Sequence, residues 1–115
     1  MARWVDGLHP ADARALAEVP TADLATSARE ALAQHDGYLR DAALTFRRWD
    51  FDVAGVACPT TLYYGALDPQ LSLDNGRWLA EHVPAARLVV SEDTAHLSTL
   101  HARWEEIFTW LRDPV

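Results

Sequence analysis

Two short segments hold the residues best suited to chemistry. One is Gly65-Ala66-Leu67-Asp68-Pro69 and the other is Asp93-Thr94-Ala95-His96-Leu97. Each follows a run of β-forming residues, Thr60 to Tyr64 in the first case and Arg87 to Ser91 in the second. If the two runs are neighbouring parallel strands, both segments emerge at the same sheet edge, where open parallel sheets place ligands and catalytic side chains. Asp68 and His96 would then lie side by side. A carboxylate against an imidazole fixes the tautomer of the ring and stabilises the imidazolium formed when it takes a proton. Positioned general-base catalysis of this kind contributes about 10²–10⁴ in rate. The plainer reading of Asp68 is a turn aspartate, since Asp-Pro after a strand is ordinary turn chemistry.

The elements that must position this pair can be read from period and punctuation. Pro59 suits the start of a strand, and Gly65 closes the run that follows it. In that strand both alternating sets, Thr60, Leu62, Tyr64 and Thr61, Tyr63, are bulky, as expected for a strand covered on both faces. A helix is predicted from about Asp74 to His82, ended by Pro84, with Trp78 and Leu79 facing inward. The second strand follows, and then a helix from about Thr99 to Arg112. Leu100, Trp104, Ile107, Phe108 and Leu111 fall at i, i+4, i+7, i+8 and i+11 on it, an apolar stripe read as core. Strand, helix, strand, helix implies a crossover connection and therefore parallel strands.

Upstream, three alanine-rich helices are predicted. The first follows His9-Pro10 and runs Ala11 to Glu18. The second starts at Thr21 as N-cap and stops at Gly37, and the third covers Tyr38 to Arg47. The chain thus divides into a helical segment, 1–48, and a β-α-β-α segment, 49–115. Two parallel strands rarely make a whole sheet, and they leave an open edge that invites pairing. The chain therefore reads as the end of a larger sheet, or as a subunit completed by another copy.

The chain of Cys58-Pro59-Thr60-Thr61-Leu62-Tyr63-Tyr64-Gly65-Ala66-Leu67-Asp68-Pro69, then Gly76-Arg77-Trp78-Leu79-Ala80, then Pro84-Ala85-Ala86-Arg87-Leu88-Val89-Val90, then His96-Leu97-Ser98 resembles the C-terminal third of an α/β-hydrolase. That family shows a Pro-initiated strand, a Gly-x-x-Asp turn with the triad acid, and a turn with the triad histidine. The resemblance spans roughly Trp49 to Leu111. It implies an incomplete α/β-hydrolase-like sheet, with Asp68 as the acid and His96 as the base. The leading helices resemble, more weakly, the cap such enzymes insert before their last two strands. The histidine turn lacks the family's glycines, and the nucleophile elbow Gly-x-Ser-x-Gly is absent. Ser27, Ser72, Ser91 and Ser98 all lack flanking glycines. In the family the elbow and the oxyanion loop precede the cap, so the residues present match a C-terminal portion. Loss of a triad nucleophile costs about 10⁶ in turnover, so this chain alone is expected to be inactive. The implied parent reaction is hydrolysis of a small apolar ester or related substrate, with the serine supplied from outside the chain. Related scaffolds also host dehalogenation and C–C cleavage. The resemblance implies no metal or organic cofactor.

The alternative is a non-catalytic α/β module that self-associates through its open sheet edge into a homo-oligomer. Other residues have structural readings. Ser98 reads as the N-cap of the last helix, Asp93 as a loop cap, and Cys58 as a buried inert thiol. His9, His35, His82 and His101 read as surface or capping residues, and Arg47-Arg48 as a solvated helix end. Trp4, Trp49 and Tyr38 could line an acyl pocket or belong to the core.

Composition sets the outer bounds. The chain has 115 residues, half of them apolar, enough for one domain with a core. Its formal charge is −7 and all 10 bases are arginines, a poor match to nucleic acid or anionic membrane. The segment Met1-Ala2-Arg3-Trp4-Val5-Asp6 does not read as a secretory signal, and no apolar run is long enough to span a bilayer. The single cysteine excludes an internal disulfide, and a reducing, cytoplasmic setting is expected.

Overall fold

A computed structural model describes residues 7–33 and 35–113. Among them lie five α-helices and a parallel two-stranded sheet, a mixed α/β architecture. The order is α1 (Pro10–Leu16), α2 (Thr21–Leu32), α3 (His35–Phe46), a 3₁₀ turn (Val53–Gly55), β1 (Thr60–Gly65), α4 (Leu73–His82), β2 (Ala86–Ser91) and α5 (His96–Arg112). No helix among the described residues is long and apolar enough to cross a membrane.

The strands pair in parallel from Thr60↔Ala86 to Gly65↔Ser91, so both end at one level. Alternate side chains point to opposite faces. On one face the Tyr64 ring lies against Gly76 of α4, where an added Cβ would meet the ring at 2.9 Å. On the other, the Tyr63 hydroxyl donates to Glu106 Oε1 of α5 at 3.3 Å. Each face thus carries one helix. A single helix cannot bury a whole face, and the strand interiors remain half-buried rather than sealed.

The helix boundaries follow local chemistry. The His9 ring caps α1, its Nδ1 accepting from Ala11 N–H, and Ser72 caps α4 by accepting from Asp74 N–H. Gly37 does not stop α2. That helix ends at Leu32, and Gly37 lies in the first turn of α3, where exposure and open space tolerate it. Thr21 is the first residue of α2, and Pro20 occupies the N-cap position without a side-chain bond. The last helix begins at His96, three residues earlier than expected, so Ser98 lies inside the first turn and is not the cap.

Burial departs most from expectation. The α5 stripe is not core: Leu100, Trp104, Phe108 and Leu111 are each about half exposed or more, and only Ile107 is half-buried. Trp78 is exposed and stacks on His82 at 4.1 Å. Cys58 is exposed rather than buried, in the lead-in that precedes the strand. Trp49 and Tyr38 are exposed rather than core: Trp49 stacks on Phe51 at 5.3 Å, and Tyr38 projects from α3. Trp4 lies outside the described residues, as does the side chain of His35. Helix α1 docks on α5, whereas α2 and α3 contact chiefly each other and leave Leu39 and Phe46 exposed.

Candidate functional site

The in-register ends of β1 and β2 deliver their following turns side by side, and backbone bonds stitch the turns together. Ala66 N–H donates to Ser91 O at 2.9 Å, and Leu67 N–H donates to Thr94 O at 3.0 Å. This approach requires Gly65. A Cβ there would sit 2.5 Å from Thr94 O, Ala95 O and Thr99 Oγ1. Glycine is needed here for space, not for an unusual φ.

Across this seam, Asp68 Oδ2 and His96 Nδ1 stand 2.8 Å apart. Asp68 is also the turn residue that its sequence suggested. Pro69 has no N–H, so Oδ1 takes the next two donors, Gln70 N–H at 2.7 Å and Leu71 N–H at 3.1 Å. The turn and the pairing use different oxygens of one carboxylate, which holds it in a fixed plane. The Asp68 side chain is 5% exposed and that of His96 is 36% exposed. Burial alone would raise the Asp68 pKa. The bonds from His96, Gln70 and Leu71 outweigh burial and hold the carboxyl below its usual range. An ionised carboxylate only accepts, so Nδ1 carries the proton and the lone pair of a neutral ring lies on Nε2. That is the tautomer of a general base.

The start of α5 places His96. Its N-cap is Ala95, which is fully buried and has no side-chain acceptor for the orphan N–H groups of the first turn. Two other residues supply what Ala95 lacks. Ser98 Oγ reaches back to accept from Ala95 N–H at 2.7 Å. Asp12, on α1, accepts from Ser98 N–H at 2.8 Å and from Ser98 Oγ at 2.7 Å. Asp12 is 1% exposed. Burial pushes its pKa up, but the Ser98 bonds and the N–H groups of Leu97 and His96 prevail and lower it. The sequence offered no local signal for this role. A carboxylate in the first turn of a helix looks like ordinary dipole compensation, and its partner lies 86 residues away.

Asp68 and His96 line a cleft of about 150 Å³ with Tyr63, Tyr64, Leu71 and Ile107. Burial and the Glu106 carboxylate hold the Tyr63 phenol above its ordinary pKa, so it stays neutral. The cleft is below the range of ordinary small-molecule sites, about 300–1,000 Å³. A wider groove of about 570 Å³, lined by Leu16, Leu97, His101 and Trp104, shares Leu100 with the cleft as a lining residue. The hydroxyls nearby have structural roles. Ser98 binds Asp12, Ser91 accepts from Arg103 Nε at 2.9 Å, Ser72 caps α4, and Thr99 donates to Ala95 O. Asp93, the other acid of the histidine turn, is exposed. The arrangement can therefore take up and hold a proton, but among these serines it offers no nucleophile.

No family model, no curated protein and no solved structure matches this chain.

Proposed function

We propose that the chain is the C-terminal part of an α/β-hydrolase-type enzyme, supplying the acid Asp68 and the base His96 to a serine borne on another segment. The observation that carries this reading is the 2.8 Å bond between Asp68 Oδ2 and His96 Nδ1, made by a buried carboxylate at the shared end of two parallel strands. In the proposed reaction His96 Nε2 takes the proton of the serine hydroxyl as the oxygen attacks an ester carbonyl. The same ring then returns that proton to the leaving alcohol. Water repeats the sequence on the acyl-serine. The strands, elbow and oxyanion donors of the other segment would join the outer edge of β1. Helices α1 to α3 take the place of a cap in this reading, and the groove beside Leu100 and Trp104 offers an apolar wall for a small ester.

The test is reconstitution. The chain is mixed with an N-terminal α/β-hydrolase half that carries Gly-x-Ser-x-Gly, and p-nitrophenyl acetate hydrolysis is followed. Alone the chain gives background. The mixture gives hydrolysis that His96→Ala and Asp68→Ala abolish. A mixture that forms a complex yet stays at background refutes the reading.

A second reading has its own observation. The exposed α5 stripe and the strand edge left unpaired among the described residues suit a self-associating module without chemistry. A tight dimer by sedimentation, unaffected by His96→Ala and inert in the reconstitution, would favour it.

A further inference from the structure

The geometry points to Asp12 as the positioning residue of His96: its buried carboxylate serves, from a separate helix, as the N-cap acceptor that Ala95 lacks, and so sets the first turn of α5 from which the imidazole projects. This rests on the reading of His96 as the base. Helix α5 opens on the histidine itself, so the ring has no preceding helical residue to steady it. The bonds within the histidine turn and the Leu67–Thr94 stitch fix the backbone on its strand side, and Asp12 fixes the first helical turn from a separate helix. An N-cap side chain ordinarily accepts from the N–H of the third helical residue, while that residue's side chain bonds back to the cap. Here Ser98 performs the second half, bonding back to Ala95 N–H. The first half is performed by Asp12 Oδ1, which also receives the Ser98 hydroxyl. One carboxylate oxygen therefore accepts from both donors of Ser98, its N–H and its hydroxyl. Because Asp12 belongs to α1, the orientation of the base depends on the leading helices staying docked.

The test reads the ring directly, without needing turnover. The Nδ1–H to Nε2–H tautomer ratio of His96 is measured by ¹⁵N NMR in the full chain, alongside amide exchange along α5. In the unsubstituted chain Nδ1–H dominates. Asp12→Ala is expected to lower the ratio by about tenfold, the scale of one hydrogen bond to a charged group, and to speed exchange at Leu97, Ser98 and Thr99 but not at Thr109. Adding Ala95→Ser, which restores a local cap, is expected to recover the ratio. A loss of stability alone would not change the tautomer of the folded protein. A folded Asp12→Ala chain with an unchanged ratio overturns the inference and leaves the Asp68–His96 pair standing. If Asp12→Ala does not fold, Ser98→Ala answers the same question: a severalfold fall supports the inference, and an unchanged ratio overturns it. Absence of Nδ1–H preference in the unsubstituted chain would sink the base reading itself.

Discussion

The placement of Gly65 predicts that Gly65→Ala will take apart the site while leaving most of the fold intact. An alanine Cβ would stand 2.5 Å from three oxygens, two of them carbonyls of the histidine turn. Reaching ordinary van der Waals contact means opening the seam by about 1 Å. Neither carbonyl can rotate away, because Thr94 O receives Leu67 N–H and Ala95 O receives the Thr99 hydroxyl and backbone N–H. The overpacking costs about 1–3 kcal/mol. Losing the Leu67–Thr94 bond adds about 1 kcal/mol. A total near 2–4 kcal/mol is a large fraction of what a small domain has. The same shift carries the 2.8 Å Asp68–His96 contact beyond hydrogen-bonding range. Urea denaturation gives the stability change, and ¹⁵N NMR of His96 reports the pair. Gly65→Ala within about 0.5 kcal/mol of the parent, with the Nδ1–H tautomer retained, would refute the argument that the turns are held by close backbone approach.

Other expectations follow from the same geometry. Asp68→Asn keeps an acceptor for Gln70 and Leu71 but presents an amide donor to Nδ1, so His96 should switch to the Nε2–H tautomer. NMR reads the switch directly, and the reconstituted enzyme should lose about 10⁴ in turnover. Stability should fall in acid. The folded pKa values of Asp12 and Asp68 both lie below the ordinary value of 3.8. Their stabilisation is therefore complete at pH values well above 3.8 and lost as pH falls through the lower folded values. Denaturation midpoints across pH 2–6 in the parent and in Asp12→Asn, with a shallower acid decline in the variant, check this. Finally, Phe108→Glu places a charge on the exposed α5 stripe. It should weaken any self-association seen by sedimentation while changing stability by about 0.5 kcal/mol or less.

What could be read from the residues, and what could not, divides along physical lines. The strands and α4 lie within about a residue of expectation because Pro59, Gly65 and Pro84 punctuate runs of clear period. The Asp68–His96 contact was legible because parallel pairing sends both turns to one edge, so only topology was needed. The start of α5 was not legible. Ala95 is a poor cap by type, and the acceptor that makes it serviceable comes from Asp12 on a remote helix. Gly37 misled because a glycine suits a first helical turn as well as a helix end. Period alone also cannot say whether an apolar stripe meets a partner within its own chain. Leu100, Trp104 and Phe108 have the spacing of core residues, yet in this chain much of each faces outward.

The bonds that aim His96 within the β-α-β-α segment join only residues between Gly65 and Thr99, together with the Asp12 clamp from α1. None of them needs a third strand. Under the proposed reading, a segment pairing with β1 would meet an imidazole already bonded to its carboxylate. In that reading the incoming segment would have only to deliver a hydroxyl, and the entropic cost of ordering the base would fall at folding rather than at assembly.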